Sequence, residues 1–320
     1  MIIVTGGAGF IGSCMVSKLN QMGHDRILVT DHLGTSDKWK NLRHLKFYDY
    51  LDRDQLFDFL GHHNQVQAII HMGACSATTE RDANYLMENN YRYTKRLAEY
   101  CLARDARFIY ASSAATYGDG NKGYSDDESG IDRFEPMNMY GYSKHLFDLK
   151  ARAEGWFQNT VGLKFFNVYG PNEYFKGDMV SVVYKSFNQI KADGKVKLFK
   201  SHRANFEDGG QQRDFVYVKD VVNVMAWLLE NPQVNGLFNL GTGQARNFRD
   251  LVSAAFHALH LEPNIEYIDM PEHLRDRYQY FTQADMQKLV DAGYNQPFHN
   301  LEDGVTDYVQ NYLDQNFKAY

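Results

Sequence analysis

Ile2-Ile3-Val4-Thr5 runs without a break into Gly6-Gly7-Ala8-Gly9-Phe10-Ile11-Gly12. The four apolar or β-branched residues predict a buried strand, and the pattern from Phe10 onward predicts a helix over 10–22. Between them lies glycine at the spacing G-x-x-G-x-x-G. Each glycine has a physical task at a strand-to-helix turn that holds a dinucleotide. Gly6 permits the tight turn, Gly9 lets the backbone approach a pyrophosphate, and Gly12 lets the helix lie close to the sheet. Phe10, Ile11 and Gly12 then open a helix whose free N–H groups face the phosphates. A second strand, Ile27–Asp31, ends in an acid nineteen residues past Gly12, where a ribose hydroxyl is expected.

Outward from this unit, strands and helices alternate. Ala68–His71, 108–111 and 163–166 read as strands, and 85–103 and 140–156 as helices. Strands spaced by helices indicate βαβ units and a parallel sheet. Helices are expected again at 180–192 and 221–230, and the polar stretch 201–212 as an exposed loop. The fold class is therefore α/β: a doubly wound parallel sheet with a smaller α/β substrate lobe. The cofactor lobe takes 1–168 with about 214–242, and the second lobe takes 169–213 with 243–320. No linker composition separates the two.

The chain has 320 residues, 44% of them hydrophobic, and a formal net charge of -6. That balance argues against a nucleic-acid partner, which needs a basic face. No apolar run reaches the ~20 residues of a membrane span. The amino terminus has no signal-peptide pattern. Three scattered cysteines (Cys14, Cys75 and Cys101) suit reduced thiols and a cytoplasmic protein, with no metal-ligand spacing.

The second constellation carries the chemistry. Ser112-Ser113-Ala114-Ala115-Thr116-Tyr117-Gly118 follows a strand, and Tyr140-Gly141-Tyr142-Ser143-Lys144 opens a helix. Tyr140 and Lys144 share a face at i, i+4; Tyr142 does not. A lysine ammonium beside a phenol favours phenolate, which lowers the tyrosine pKa towards the working range of a general acid/base. Ser113, at a strand's carboxyl end, is placed to hydrogen-bond the same reacting oxygen. Asp31 normally favours NAD and repels a 2′-phosphate, yet His32, Lys38 and Arg53 lie close by in sequence. Spacing alone leaves NAD and NADP open.

The glycine loop, His71-Met72-Gly73-Ala74, Asn89-Asn90, Ser112-Ser113 and Tyr140–Lys144 together resemble the extended short-chain dehydrogenase/reductases, a family with a Rossmann lobe and a smaller nucleotide-sugar lobe. The resemblance spans essentially the whole chain. The runs Cys75-Ser76-Ala77-Thr78-Thr79-Glu80, Phe166-Asn167-Val168-Tyr169-Gly170-Pro171, Arg213-Asp214-Phe215 and Tyr278-Gln279-Tyr280-Phe281-Thr282-Gln283-Ala284-Asp285 narrow it. They look like the branch that inverts carbon 6 of an ADP-linked heptose, for lipopolysaccharide core precursors. The resemblance implies a mechanism and a set of residue roles. Hydride would pass from carbon 6 to tightly bound NADP and return to the opposite face of the transient carbonyl. By the same resemblance, Tyr140 is one acid/base and Lys176 the other. Lys144 orients the cofactor ribose, and Met72, Ala74 and Asn89 lie along the cofactor. Ser113, Asn167, Arg213, Tyr278, Phe199 and Ser201 contact substrate, with Arg213 on the diphosphate. A ring-like homo-oligomer is implied, a pentamer being the number suggested.

The chain departs from the family pattern in three places. Met72 stands where an acid is frequent, the loop before Arg213 is longer, and Asp178 follows Lys176-Gly177. A negative charge there is expected to raise the Lys176 pKa. Two rival readings stand beside this one. A UDP-hexose 4-epimerase shares the glycines, Tyr140 and Lys144 without needing Lys176. A non-catalytic NADP-binding regulator has no use for the Tyr140–Lys144 pair. A 4,6-dehydratase needs an acidic pair where Ala115-Thr116 stands.

Overall fold

The computed structural model describes residues 1–275 and 278–320. Its centre is set by side-chain alternation in short apolar strands. In β1 (Ile2–Thr5), Ile2 and Val4 enter one core and Ile3 the other, as period-two geometry requires. The same division holds for β2 (Ile27–Asp31), β4 (Ala68–His71) and β5 (Arg107–Ser113), where Val29, Ile70 and Ile109 face one way and Leu28, Ile69 and Phe108 the other. A sheet buried on both faces is the usual fate of parallel strands.

With β3 (Asp49–Asp52), β6 (Thr160–Phe165) and the later strand β10 (Gly236–Leu240), these form a seven-stranded sheet in the order β10-β6-β5-β4-β1-β2-β3. Every pairing within it is parallel. The order reverses beside β1, which lies between β2 and β4. In a doubly wound sheet, a crevice opens outside the carboxyl ends of the strands at that reversal. Helix Phe10–Gln21 leaves β1 and packs on Val218–Glu230 over one face. Helices Tyr93–Leu102 and Met139–Ala153 cover the other.

Two small sheets flank the carboxyl ends. β7 (Asn167–Tyr169), β9 (Gln212–Tyr217) and β11 (Ala245–Asn247) form one, in the order β11-β9-β7. β8 (Val196–Phe199) pairs in parallel with β12 (Ile265–Ile268) in the other. The buried carboxylate of Asp214 ties this region together. It accepts from the backbone N–H groups of Thr242, Gly243 and Ala284 at 2.7, 2.9 and 3.0 Å. No helix among the described residues is long and apolar enough to cross a membrane.

The structure departs from the sequence expectations at three elements. The helix expected over 85–103 is two helices, Ala83–Leu86 and Tyr93–Leu102, joined by the π-helical turn Met87–Arg92. The wider turn brings both Asn89 and Asn90 inward. Asn90 exchanges hydrogen bonds with the Cys75 backbone at 2.9 Å and donates to Ser143 Oγ, a use of π-turns common at functional sites. The helix expected at 221–230 begins earlier, at Val218. β3 is an unexpected strand, because an edge strand reading Asp-Tyr-Leu-Asp has no apolar pattern. The stretch 201–211 is irregular and largely exposed, as expected, with the Phe206 ring 5.0 Å from that of Tyr280.

Candidate functional site

The crevice beside β1 is a cavity of about 740 Å³. Its floor is the glycine turn. Gly6 has φ +63°, and a Cβ on Gly12 would fall 2.1 Å from the Gly6 carbonyl oxygen. Only glycine fits there. Gly9 caps the Phe10–Gln21 helix with extended backbone and no side-chain cap. The first-turn amides therefore have no side chain competing for them, which suits an anionic ligand at the helix's positive end.

Asp31 sits at the rim with both oxygens engaged. Oδ2 accepts from Ala8 N at 2.9 Å, and Oδ1 accepts from His32 N and from Lys38 Nζ, both at 2.7 Å. The carboxylate braces the glycine loop while its charge is matched by Lys38. The His32 ring turns away, 3.4 Å from Asp52. Arg53 bonds the amide oxygen of Asn89 and pairs with Asp54 at 3.1 Å. Lys38, Met72 and Ala74 border the cavity, whereas His32, Arg53 and Asn89 do not.

The far wall is the end of β5 and the start of the Met139–Ala153 helix. Asn138 caps that helix, its side chain accepting from Gly141 N at 2.8 Å. Tyr140 then faces the hydroxyl of Ser113, the last residue of β5, and both border the cavity. Tyr142, by contrast, is 44% exposed. Lys144 is buried, and its Nζ donates to Ala111 O at 2.8 Å. Burial pushes its ammonium down to about 8, against the upward pull of Asp148. The expected lowering of the Tyr140 pKa is not what the chain itself supplies. Burial raises it, with only the Ser113 hydroxyl pulling down.

Behind this wall lies a closed polar network. Asp148 and Lys164 are both fully buried and pair at 2.7 Å. Asp148 also accepts from Tyr110 and Ser112 hydroxyls at 2.8 and 2.7 Å, and Lys164 donates to Thr116 Oγ1 at 2.6 Å. His71, buried between Thr5 and Thr94 hydroxyls at 2.5 and 2.8 Å, has its pKa driven far down by burial and then by the Lys144 charge. It is a neutral brace between β1 and β4.

The near wall is the turn from Gly170 to Ser181, which carries Lys176. Asn172, in the left-handed region at φ 73°, donates to Ser13 Oγ at 2.9 Å. Asn41 donates both to Ala8 O and to Asn172 O, at 3.0 and 3.1 Å. These bonds fasten the Lys176 turn to the glycine loop, and Lys176 Nζ lies 5.1 Å from the centre of the Phe10 ring. Burial lowers the Lys176 pKa. The expected influence of Asp178 is absent, because its side chain is exposed; the anion that acts on Lys176 is Glu173.

Asn167 and Arg213 reach the cavity from β7 and β9. The buried Arg213 guanidinium lies 5.2 Å from the Tyr278 ring and 5.7 Å from that of Phe248. Burial lowers its pKa without discharging it. Phe199 packs edge-on against Tyr278 at 6.5 Å, one layer out. Ser201 closes its own loop by donating to Arg203 O at 2.8 Å. Sequence reasoning missed Asn41, Asn172 and Glu173, which belong to no motif it used. Their signal was only position: a buried polar residue beside each predicted loop.

The chain matches the model of the NAD dependent epimerase/dehydratase family over residues 2–241. It is 60% identical over 316 residues to an ADP-L-glycero-D-manno-heptose-6-epimerase of Nitratidesulfovibrio vulgaris strain DP4, covering 98% of each chain. It is 52% identical over 329 residues to a protein of the same name from Fusobacterium nucleatum, again covering 98% of each. A crystal structure of the Helicobacter pylori enzyme of that name superposes with a TM-score of 0.81 at 31% identity, covering 97% of this chain and 95% of that one.

Proposed function

This chain belongs to the NAD dependent epimerase/dehydratase family and is an epimerase, and we propose that it inverts carbon 6 of the heptose in ADP-glycero-manno-heptose. The observation that carries this reading is that two side chains able to transfer a proton, from separate segments of the chain, border one cavity. Tyr140 with Ser113 stands on the far wall, and Lys176 stands on the near wall above Phe10. Inversion by oxidation and re-reduction requires proton transfer at an oxygen that points in two directions in turn.

The cavity floor fits a nicotinamide dinucleotide: glycines that no Cβ could replace, and an uncapped helix start. When bound, that group would supply reversible hydride transfer at carbon 6. Ser113 holds the carbon-6 oxygen, and Tyr140 removes its proton as the C–H bond breaks. Carbon 6 also bears carbon 7, so the oxidised sugar is a ketone. With the sugar turned, that oxygen would lie towards Lys176, which would supply the proton for re-reduction at the other face. Arg213, with Tyr278 stacked against it, grips the diphosphate, and Asn167 borders the sugar. Lys144, held by Ala111, presents its ammonium to the cofactor ribose. In this reading 1–168 and about 214–242 hold the cofactor, and the remainder holds the sugar nucleotide.

The cofactor is NADP in this reading, because Lys38 already neutralises Asp31 and leaves no unmatched charge to repel a 2′-phosphate. The product is then a heptose activated for transfer into lipopolysaccharide core. The test is isotopic. Substrate carrying deuterium at carbon 6 keeps it through epimerisation, since the hydride leaves and returns within one site. Exchange of that deuterium with solvent protons would contradict the mechanism.

A further inference from the structure

Glu173 is fully buried in the turn that carries Lys176. Its carboxylate spans the base of that turn. Oε1 accepts from Ser181 Oγ at 2.6 Å and from Gly170 N at 3.4 Å, and Oε2 accepts from Ser181 N at 2.5 Å. The residues where the turn leaves β7 and where it meets the Val182–Asp193 helix are thus joined through one side chain. Lys176 lies between them, its own N–H donating to Glu173 O at 3.2 Å. We propose that Glu173 is the positioning residue of this active site: it clasps the Lys176 turn shut and gives that turn a buried acidic group.

The bonds favour the carboxylate form. Three donors converge on it, two of them backbone N–H groups that have only a lone pair to seek. Burial works the other way and raises the Glu173 pKa. The charged and titratable groups around the pair come from every neighbouring element. Lys185 on the Val182–Asp193 helix pushes the Lys176 pKa down, and Glu173 pulls it up. Tyr308 on the Leu301–Tyr308 helix, Cys14 on the Phe10–Gln21 helix and Tyr174 in the turn itself all have their pKa values raised, chiefly by burial and further by the Glu173 charge. None of these three carries a compensating positive charge. Lys176 is the positive charge that pulls the Glu173 pKa down against burial.

The inference rests on the reading of Lys176 as an acid/base, but its test does not need turnover. The purified enzyme is trace-acetylated with acetic anhydride across a pH series, and acetyl-Lys176 is quantified by peptide mass spectrometry. Glu173→Gln keeps the size of the side chain and removes the charge. Its Lys176 midpoint is expected to fall by about one pH unit or more, as for loss of a nearby opposite charge. An unchanged midpoint in a folded Glu173→Gln protein overturns the electrostatic role. Glu173→Asp keeps the charge on a shorter arm that cannot span to Ser181. It is expected to lose at least about tenfold in kcat, as misplacement of a catalytic group does, with KM nearly unchanged. Wild-type kcat in that variant overturns the clasp. If Lys176→Met proves fully active, the acid/base reading falls, while the acetylation result still stands or falls by itself.

Discussion

Nζ of Lys38 sits 2.7 Å from Oδ1 of Asp31, so the acid at the end of the second strand has its charge matched within the chain. Its other oxygen is taken by Ala8 N, so it braces the glycine loop. An aspartate expected from its position to read a ribose hydroxyl is thus held by the chain itself.

Lys38→Met tests that relationship. Without the ammonium, the Asp31 charge faces the incoming 2′-phosphate. The Kd for NADP is expected to rise about 10- to 100-fold relative to that for NAD, the scale of one charge-assisted bond. Fluorescence titration with both cofactors reads this directly. Equal weakening of the two would mean that Lys38 does not discriminate between them.

Tyr140→Phe keeps the ring and removes the proton carrier. kcat is expected to fall by about 10²- to 10⁴-fold, with thermal midpoint and cofactor affinity close to wild type. A variant that retains a tenth of the wild-type rate would remove Tyr140 from the mechanism.

Lys144 gives a pH signature in stability. Its folded pKa of about 8 lies below the ordinary lysine value, so above that pH the unfolded chain binds the extra proton. Its contribution to stability is therefore unfavourable at low pH and improves as pH rises from about 8 to about 10.4, where the unfolded lysine also discharges. The unfolding free energy of the cofactor-free protein in urea is expected to rise more steeply across that window than that of Lys144→Met. Parallel curves would mean that Lys144 titrates normally.

Lys164→Met leaves Asp148 buried without its cation. A loss of about 3–5 kcal/mol is expected, and Asp148→Leu with Lys164→Met together should recover much of it. Chemical denaturation of wild type, the single variant and the double variant decides the point. A single variant as stable as wild type would show that the Tyr110 and Ser112 hydroxyls suffice for the carboxylate.

The central sheet was readable because parallel strands are buried on both faces and leave short apolar runs, as at Ile2–Thr5 and Ala68–His71. The glycine spacing was readable because close packing leaves no alternative: a Cβ on Gly12 would strike the Gly6 carbonyl. Edge strands such as Asp49–Asp52 were not, since one face and one edge meet water and impose little pattern. The π-turn at Met87–Arg92 was hidden because its sequence has helical periodicity and its cause, the burial of Asn89 and Asn90, is tertiary. Tyr140, Lys144 and Arg213, singled out by spacing and resemblance, all border the cavity. Glu173 was not singled out, because a lone glutamate reads as surface until the chain folds over it. A shared helix face likewise says nothing of the Ala111 carbonyl that takes the Lys144 ammonium.

The most direct test is to incubate the purified protein with ADP-D-glycero-D-manno-heptose, without added cofactor, and to separate the two 6-epimers by chromatography. Wild type is expected to bring them to equilibrium, and Tyr140→Phe and Lys176→Met are expected not to. A wild-type protein that leaves this sugar untouched and converts UDP-galactose instead would contradict the C6-epimerase reading, removing both the heptose and the role given to Lys176.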